Sequence, residues 1–256
     1  MSDETLFDLL QKLGFRLARA VLDKLIAECT KQRLSPLQVM EQLAEAERRA
    51  RDGVNLAYRT RVALLGVVAG IETFDWSHPR KIDRELYEEL FRMDFIERAE
   101  NVLFRGSVGL GKTMLAKNLG LEALRRGHTV RFTTLASMTA DVLRQESIPA
   151  AARRLRRYTH PALLIIDELG YLPLDSRAAD VLYNVVAARH ENTSTIMTTN
   201  LGFKAWGGVF GEAGSLVALI DRFTQHLHVM DIDGDSYRDP KHKKPGPTPP
   251  KRPRKR

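Results

Sequence analysis

The sequence predicts an α/β fold: a mostly parallel sheet flanked by helices and preceded by a small all-α domain. Three observations carry that expectation. Helical apolar periodicity fills the first 60 residues, short apolar runs alternate with helical stretches from residue 101 onward, and a Gly-rich turn joins the first such run to the first such helix. Strands that alternate with helices pair in parallel and are covered on both faces, and ligands then gather at the carboxyl ends of the strands.

At the N-terminus, Leu6, Leu9, Leu10 and Leu13 form one helical stripe, which Leu17, Val21 and Leu25 continue. Ser35-Pro36 reads as an N-cap with proline in the first turn, opening a helix through Leu37, Met40, Leu43 and Ala44. Residues 1–60 are therefore a helical domain whose stripes are expected as internal core. A bundle this small is marginal alone, so it is expected to make partner or oligomer contacts. Residues 75–80, with Trp76 and Pro79, break the periodicity, and 61–100 reads as a linker and helix leading into the core. Strands are predicted at 102–104, 129–133, 162–167, 193–199 and 227–232. Helices fall between them at 112–126, 138–145, 150–158, 178–190 and 216–224, so the core domain spans 101–238.

With 256 residues and 43% hydrophobic content, the chain has enough apolar surface for a real core. The single cysteine, Cys29, rules out an internal disulfide or a cysteine metal cluster. The acidic start and the lack of an apolar run near the roughly 20 residues of a membrane span point to a cytoplasmic protein. The net charge of +8 is confined to the end of the chain: eight Lys or Arg and no acid follow residue 239, along with six of the 11 prolines. Such a segment buries too little apolar surface to order itself, so 239–256 is expected as a disordered basic arm. It suits nucleic acid phosphates or simple solubilisation equally well.

The chemistry is concentrated in the core domain. Gly106-Ser107-Val108-Gly109-Leu110-Gly111-Lys112-Thr113 has the G-x-x-x-x-G-K-T spacing of a P-loop and lies between a predicted strand and helix, as that loop requires. Its glycines let the backbone curl so that N–H groups face a polyphosphate at the positive end of the helix. Lys112 then reaches the β and γ phosphates, and Thr113 ligates Mg²⁺. Asp167 and Glu168 follow an apolar run and resemble the companion acidic element, Asp167 for the metal and Glu168 to polarise the attacking water. Asn200, after the next strand, is placed to orient that water and sense the γ-phosphate. Arg222 reads equally as a solvated helix residue or as a cation projecting into a neighbouring subunit's site. Arg144, Arg153, Arg154, Arg156 and Arg157 cluster between 133 and 161, a composition suited to DNA phosphates.

Together with Leu163-Leu-Ile-Ile-Asp-Glu-Leu-Gly-Tyr-Leu-Pro-Leu174, Thr198-Thr-Asn200, Asp221-Arg-Phe223, Gly234-Asp-Ser-Tyr-Arg238 and Glu72-Thr-Phe-Asp-Trp76, these motifs resemble the IstB family of transposition helper ATPases. That family sits beside DnaC and DnaA among the AAA+ proteins. The resemblance implies a P-loop AAA+ core using ATP and Mg²⁺, with the roles above for Lys112, Thr113, Asp167, Glu168 and Asn200. It also implies an arginine finger at Arg222, a homo-oligomer sharing its ATP sites, assembly on double-stranded DNA and recruitment of an IstA-like transposase. A helicase loader and a non-hydrolysing DNA adaptor are the alternatives. Ser107 and Met114 stand where the family often has proline and histidine. No C-terminal helical lid fits after Arg238, so a lid-borne sensor arginine has no assignment.

Overall fold

The computed structural model describes residues 5–170, 176–210 and 214–238; the basic arm expected at 239–256 lies outside them, as do Tyr171 to Leu174 of the acidic-strand motif. The chain divides into two compact units, Met1–Val62 and Ala63–Arg256.

In the first unit, α1 (Leu6–Lys12), α2 (Arg19–Gln32) and α3 (Pro36–Val62) surround a small core of Leu10, Leu17 and Leu22, packed by Phe7, Phe15 and Leu43. The single continuous stripe expected from Leu6 to Leu25 is not formed. Gly14, at φ +83°, turns the chain after α1 and resets the helical phase, so Leu6, Leu9, Leu13 and Val21 are exposed. A buried carboxylate ties the turn down: Glu47 on α3 accepts the backbone N–H groups of Arg16 and Leu17 and the guanidinium of Arg51. α3 begins at Pro36, with the Ser35 hydroxyl accepting from the Gln38 amide, and runs on to Val62.

From Ala63 the chain belongs to the second unit. A single 3-10 turn (Ile71–Thr73), α4 (Arg84–Leu90) and α5 (Asp94–Glu97) lead into the sheet. There follow β1 (Asn101–Gly106), α6 (Lys112–Arg125), β2 (Val130–Thr134), α7 (Leu135–Leu143), α8 (Ile148–Thr159), β3 (Leu163–Leu169), α9 (Ser176–Arg189), β4 (Ser194–Thr199), α10 (Phe203–Phe210), α11 (Ser215–Thr224) and β5 (Leu227–Ile232). The five strands lie in the order β2-β3-β4-β1-β5, with every ladder parallel.

Alternation along the strands divides the core between the two faces. Leu103, Leu164, Ile166 and Met197 point into a cluster built by α7, α9 and α11, closed by Trp206, Leu219 and Phe223. On the other face α6 packs so tightly that a Cβ at Gly120 would meet the side chain of Ile165 at 2.7 Å. α10 is absent from the sequence reading. Its Gly207-Gly208 pair argues against a helix, but Trp206 is completely buried and packs at a tilt against Phe203 and Phe223, so tertiary packing overrides that preference.

Candidate nucleotide site

Beyond the carboxyl ends of β1, β3 and β4 lies a cavity of about 400 Å³. The loop after β1 forms its floor. Gly109 and Gly111 both adopt φ +84°, a left-handed conformation that side chains rarely accept, and a Cβ at Gly111 would press within 2.7 Å of the Phe74 ring. Gly111 is also the N-cap of α6, a 14-residue helix whose positive end opens onto the cavity. Val108, Gly109, Gly111, Lys112 and Thr113 line the space, whereas Leu110 is fully buried beneath it.

Lys112 is held by its own loop: its ammonium donates to the carbonyls of Gly106 and Ser107, both at 2.7 Å. Burial pulls its pKa down, Asp167 opposes that shift, and the positive charge of Arg238 reinforces it. Two loop carbonyls are weak compensation for a desolvated cation, and a polyphosphate would compensate it fully.

The acidic pair is positioned by a break in the sheet. Between Ile166 and Leu169 the register of β3 against β4 shifts, and Glu168 takes φ +62°, which is strained for a residue with a side chain. Asp167 consequently turns inward and is almost fully buried, while Glu168 faces outward into the cavity. Both carboxylate oxygens of Asp167 accept from the Thr113 hydroxyl, at 2.9 and 3.0 Å. Thr198 completes the cluster: its hydroxyl donates to Asp167 and accepts the Glu168 amide at 3.1 Å. Next along β4, Thr199 donates to the Leu169 carbonyl at 2.8 Å. Asn200, Glu168 and Thr198 all line the same cavity.

The structure thus brings together Lys112, Thr113, Asp167, Glu168 and Asn200. Arg222 is elsewhere in its own chain, on α11, where its guanidinium donates to the Tyr183 hydroxyl and lies 5.0 Å from that ring's centre. The five candidate DNA arginines are also remote from the cavity, at the end of α7 and along α8. Arg144, Arg153, Arg156 and Arg157 are exposed, whereas Arg154 is drawn into an ion pair with Asp141 at 3.2 Å. The sequence reading singles out Thr198-Thr-Asn200 but gives the role to Asn200 and none to Thr198, since a threonine in an apolar strand looks like ordinary β propensity. It uses Glu72-Thr-Phe-Asp-Trp76 only as part of the resemblance and assigns no site role there, although Thr73, Phe74 and Asp75 line the same cavity as Glu168 and Asn200.

Residues 9–245 match the family model described as IstB-like ATP binding protein. The chain belongs to the IstB-like ATP-binding family. It is 34% identical over 205 residues to a protein of Geobacillus stearothermophilus named for insertion sequence IS5376 and ATP binding, covering 80% of this chain and 82% of that one. It is 32% identical over 225 residues to the corresponding protein named for IS21 in Pseudomonas aeruginosa, covering 88% and 85%. Among solved structures, DnaI superposes with a TM-score of 0.55 at 17% identity, covering 66% of this chain and 92% of that one. Replication initiator DnaA bound to AMPPCP and single-stranded DNA gives 0.51 at 18%, covering 64% and 52%. The IstB-like core therefore has the AAA+ P-loop fold, in agreement with its five-stranded parallel sheet and flanking helices. No helix among the described residues is long and apolar enough to cross a membrane.

Proposed function

We propose that this IstB-like protein is a Mg²⁺-dependent ATPase that assembles on double-stranded DNA as a homo-oligomer and brings a transposase to its target, with hydrolysis resetting the assembly. One observation carries the reading: a P-loop lysine, a buried aspartate bonded to the P-loop threonine, and a strained, outward-facing glutamate share one cavity. The relatives are named for ATP binding and for insertion sequences, which supports the transposition part of the reading.

Backbone N–H groups of the loop and the end of α6 bind the phosphates, and Lys112 exchanges its two carbonyls for phosphate oxygens. Glu168 holds and orients the attacking water and Asn200 contacts the γ-phosphate side of it. The donor set fits Mg²⁺. Thr113 and Asp167 supply a hydroxyl and one carboxylate, and among the described residues no group of three acids, cysteines or histidines competes for a metal. Magnesium typically takes one or two protein oxygens and completes its shell with phosphates and water. When bound, it neutralises charge on the phosphate oxygens.

Arg222 acts on the neighbouring subunit's ATP, having no part in its own cavity. Arg144, Arg153, Arg156 and Arg157, exposed on and beside α8, contact DNA phosphates, and Arg154 contributes less because Asp141 holds it. The deciding experiment is Glu168→Gln. ATP binding is retained, turnover falls by at least about 100-fold, and DNA complexes persist. Turnover at the wild-type level overturns the assignment of Glu168 and favours an adaptor that binds ATP without hydrolysing it. Capture of a replicative helicase and no transposase by the full chain favours a helicase loader.

A further inference from the structure

A second cavity, of about 320 Å³, adjoins the nucleotide site. The two share one stretch of chain: Thr73, Phe74 and Asp75 line the nucleotide cavity, whereas Glu72 and Trp76 line the second. Its floor is aromatic. Trp76 and Tyr87 lie 5.3 Å apart with their planes 58° from each other, and Tyr87 and Phe91 lie 6.0 Å apart at 39°, so the tilted rings leave a cleft. Tyr87 is buried and donates its hydroxyl to the Leu115 carbonyl on α6 at 3.2 Å, which anchors the cleft to that helix, while Trp76 is half-buried. The rim is acidic. Glu72 and Glu88 are exposed along it, and Glu85 and Glu89 are exposed on the same helix, α4. The one base of α4 is Arg84, which lies over the Trp76 ring at 5.4 Å and pairs with Glu88 at 2.7 Å.

An aromatic cleft with a charged rim suits a proline-rich chain. Such a segment in polyproline II conformation loses little entropy on docking, lays its rings on aromatic faces and leaves its other side chains to pair with rim charges. This sequence supplies one: residues 240–250 hold Pro240, Pro245, Pro247, Pro249 and Pro250 together with Lys241, Lys243 and Lys244, and no acid. The residues before it are fastened beside the cleft. Asp233 and Lys81 exchange backbone hydrogen bonds, and the Tyr237 hydroxyl donates to the carbonyl of Asp75, the residue before Trp76, at 2.7 Å. Phe74 lies between the two rings, 6.5 Å from that of Tyr237 and 4.8 Å from that of Trp76. Polyproline II advances about 3.1 Å per residue, so a few residues after Arg238 span the distance to the cleft.

We propose that this cleft is the docking site for residues 240–250 of the same chain, with the prolines over Trp76 and Phe91 and the lysines toward Glu72 and Glu88. A tether this short sets an effective concentration in roughly the mM range, so even a weak cleft is filled. While docked, the lysines face carboxylates of their own chain and not the phosphates of a nucleic acid.

The test is quenching of tryptophan fluorescence by a nitroxide on the basic arm of the full chain. The chain has two tryptophans; Trp206 is completely buried, which shields it, and Trp76→Phe assigns the share of emission that belongs to Trp76. The label is carried on Gly246→Cys or on Thr248→Cys, and wild type taken through the same reaction corrects for the buried Cys29. At an effective concentration in roughly the mM range, Trp76 emission is expected to fall by about half or more. Charge reversal by Glu72→Lys with Glu88→Lys restores most of it, and so, separately, does Pro247→Ala with Pro249→Ala and Pro250→Ala. The proline set alters only residues after the last core strand, so misfolding of the core does not imitate its result. Quenching at neither labelled position overturns the proposal. So does quenching that survives both sets of substitutions, which reports the tether and not the cleft. Labelled Trp76→Phe protein mixed with unlabelled wild type is expected to give none; quenching there means that the arm docks on a second copy, and the assignment within one chain fails.

Discussion

A buried and a half-buried cation lie at opposite ends of the same sheet and are treated in opposite ways. Arg189, at the end of α9, sits beneath the amino ends of β3 and β4 and is 1% exposed. Its guanidinium donates to the carbonyls of Tyr158, Thr159, Pro161, Ala162 and Ser194 and to the Thr195 hydroxyl. Burial lowers its pKa, but every acceptor comes from the elements it joins: the end of α8 and the starts of β3 and β4. Lys112, at the carboxyl ends, has only two carbonyls of its own loop. A charge satisfied by elements distant in sequence holds the fold together. A charge satisfied by its own loop can exchange those bonds for a ligand's without disturbing anything else.

Exchanging the two roles is the largest test of that contrast. Arg189→Met removes the donors from six acceptors and is expected to cost about 4 kcal/mol, lowering Tm by about 10 °C or more. Lys112→Met deletes a partly desolvated cation and leaves Tm no lower, while nucleotide affinity falls at least about 100-fold. Thermal unfolding of the nucleotide-free variants reads one arm and ADP titration the other. If Lys112→Met unfolds as early as Arg189→Met, the distinction between the two ends is lost.

A smaller effect sharpens the account of the carboxyl end. Thr198 is 2% exposed and uses its hydroxyl as donor to Asp167 and acceptor for the strained Glu168 amide. Thr198→Val keeps the shape and removes both bonds. Supporting residues of this kind usually alter affinity or activity about 10- to 100-fold. The expected outcome is a kcat lower by about that range, KM for ATP within a few-fold and a higher Mg²⁺ requirement, with Thr198→Ser restoring most of the rate. A folded Thr198→Val protein with wild-type kcat and Mg²⁺ dependence would remove Thr198 from the machinery.

The same contrast explains what could be read from the residues alone. The P-loop and the Asp-Glu pair are local devices, in which spacing, strand context and side-chain type carry the chemistry, so both are legible in sequence. Thr198 acquires its role only through the register that sets Ile166 against Met197, and no run of residues encodes that pairing. The contact between Tyr237 and Asp75 joins positions 162 residues apart; both segments stood out by resemblance, but their meeting did not. Arg189 looks like any basic residue closing a helix, a place where arginine is ordinarily solvated. In the N-terminal unit, a stripe read as continuous across Gly14 lost its phase because one left-handed residue redirects the chain.

That unit offers the smallest and most local test, because Glu47 is its counterpart of Arg189. The carboxylate is 6% exposed and bridges the turn between α1 and α2 to α3 through the amides of Arg16 and Leu17. Burial raises its pKa, but Arg51 and those two amides outweigh burial, so the net shift is downward from 4.5. A carboxylate with a lowered folded pKa contributes stability that is complete above its unfolded value and is lost as pH falls through the folded one. Amide protection factors at Arg16 and Leu17 in the full chain are therefore expected to hold from pH 7 to about 5 and to decline below about 4.5. Glu47→Gln should lower them at every pH and flatten the decline. Protection that persists unchanged to pH 3 in wild type would mean that the turn is held by Leu10, Leu17 and Leu22 alone, and that the likeness between Glu47 and Arg189 is one of burial without function in the fold.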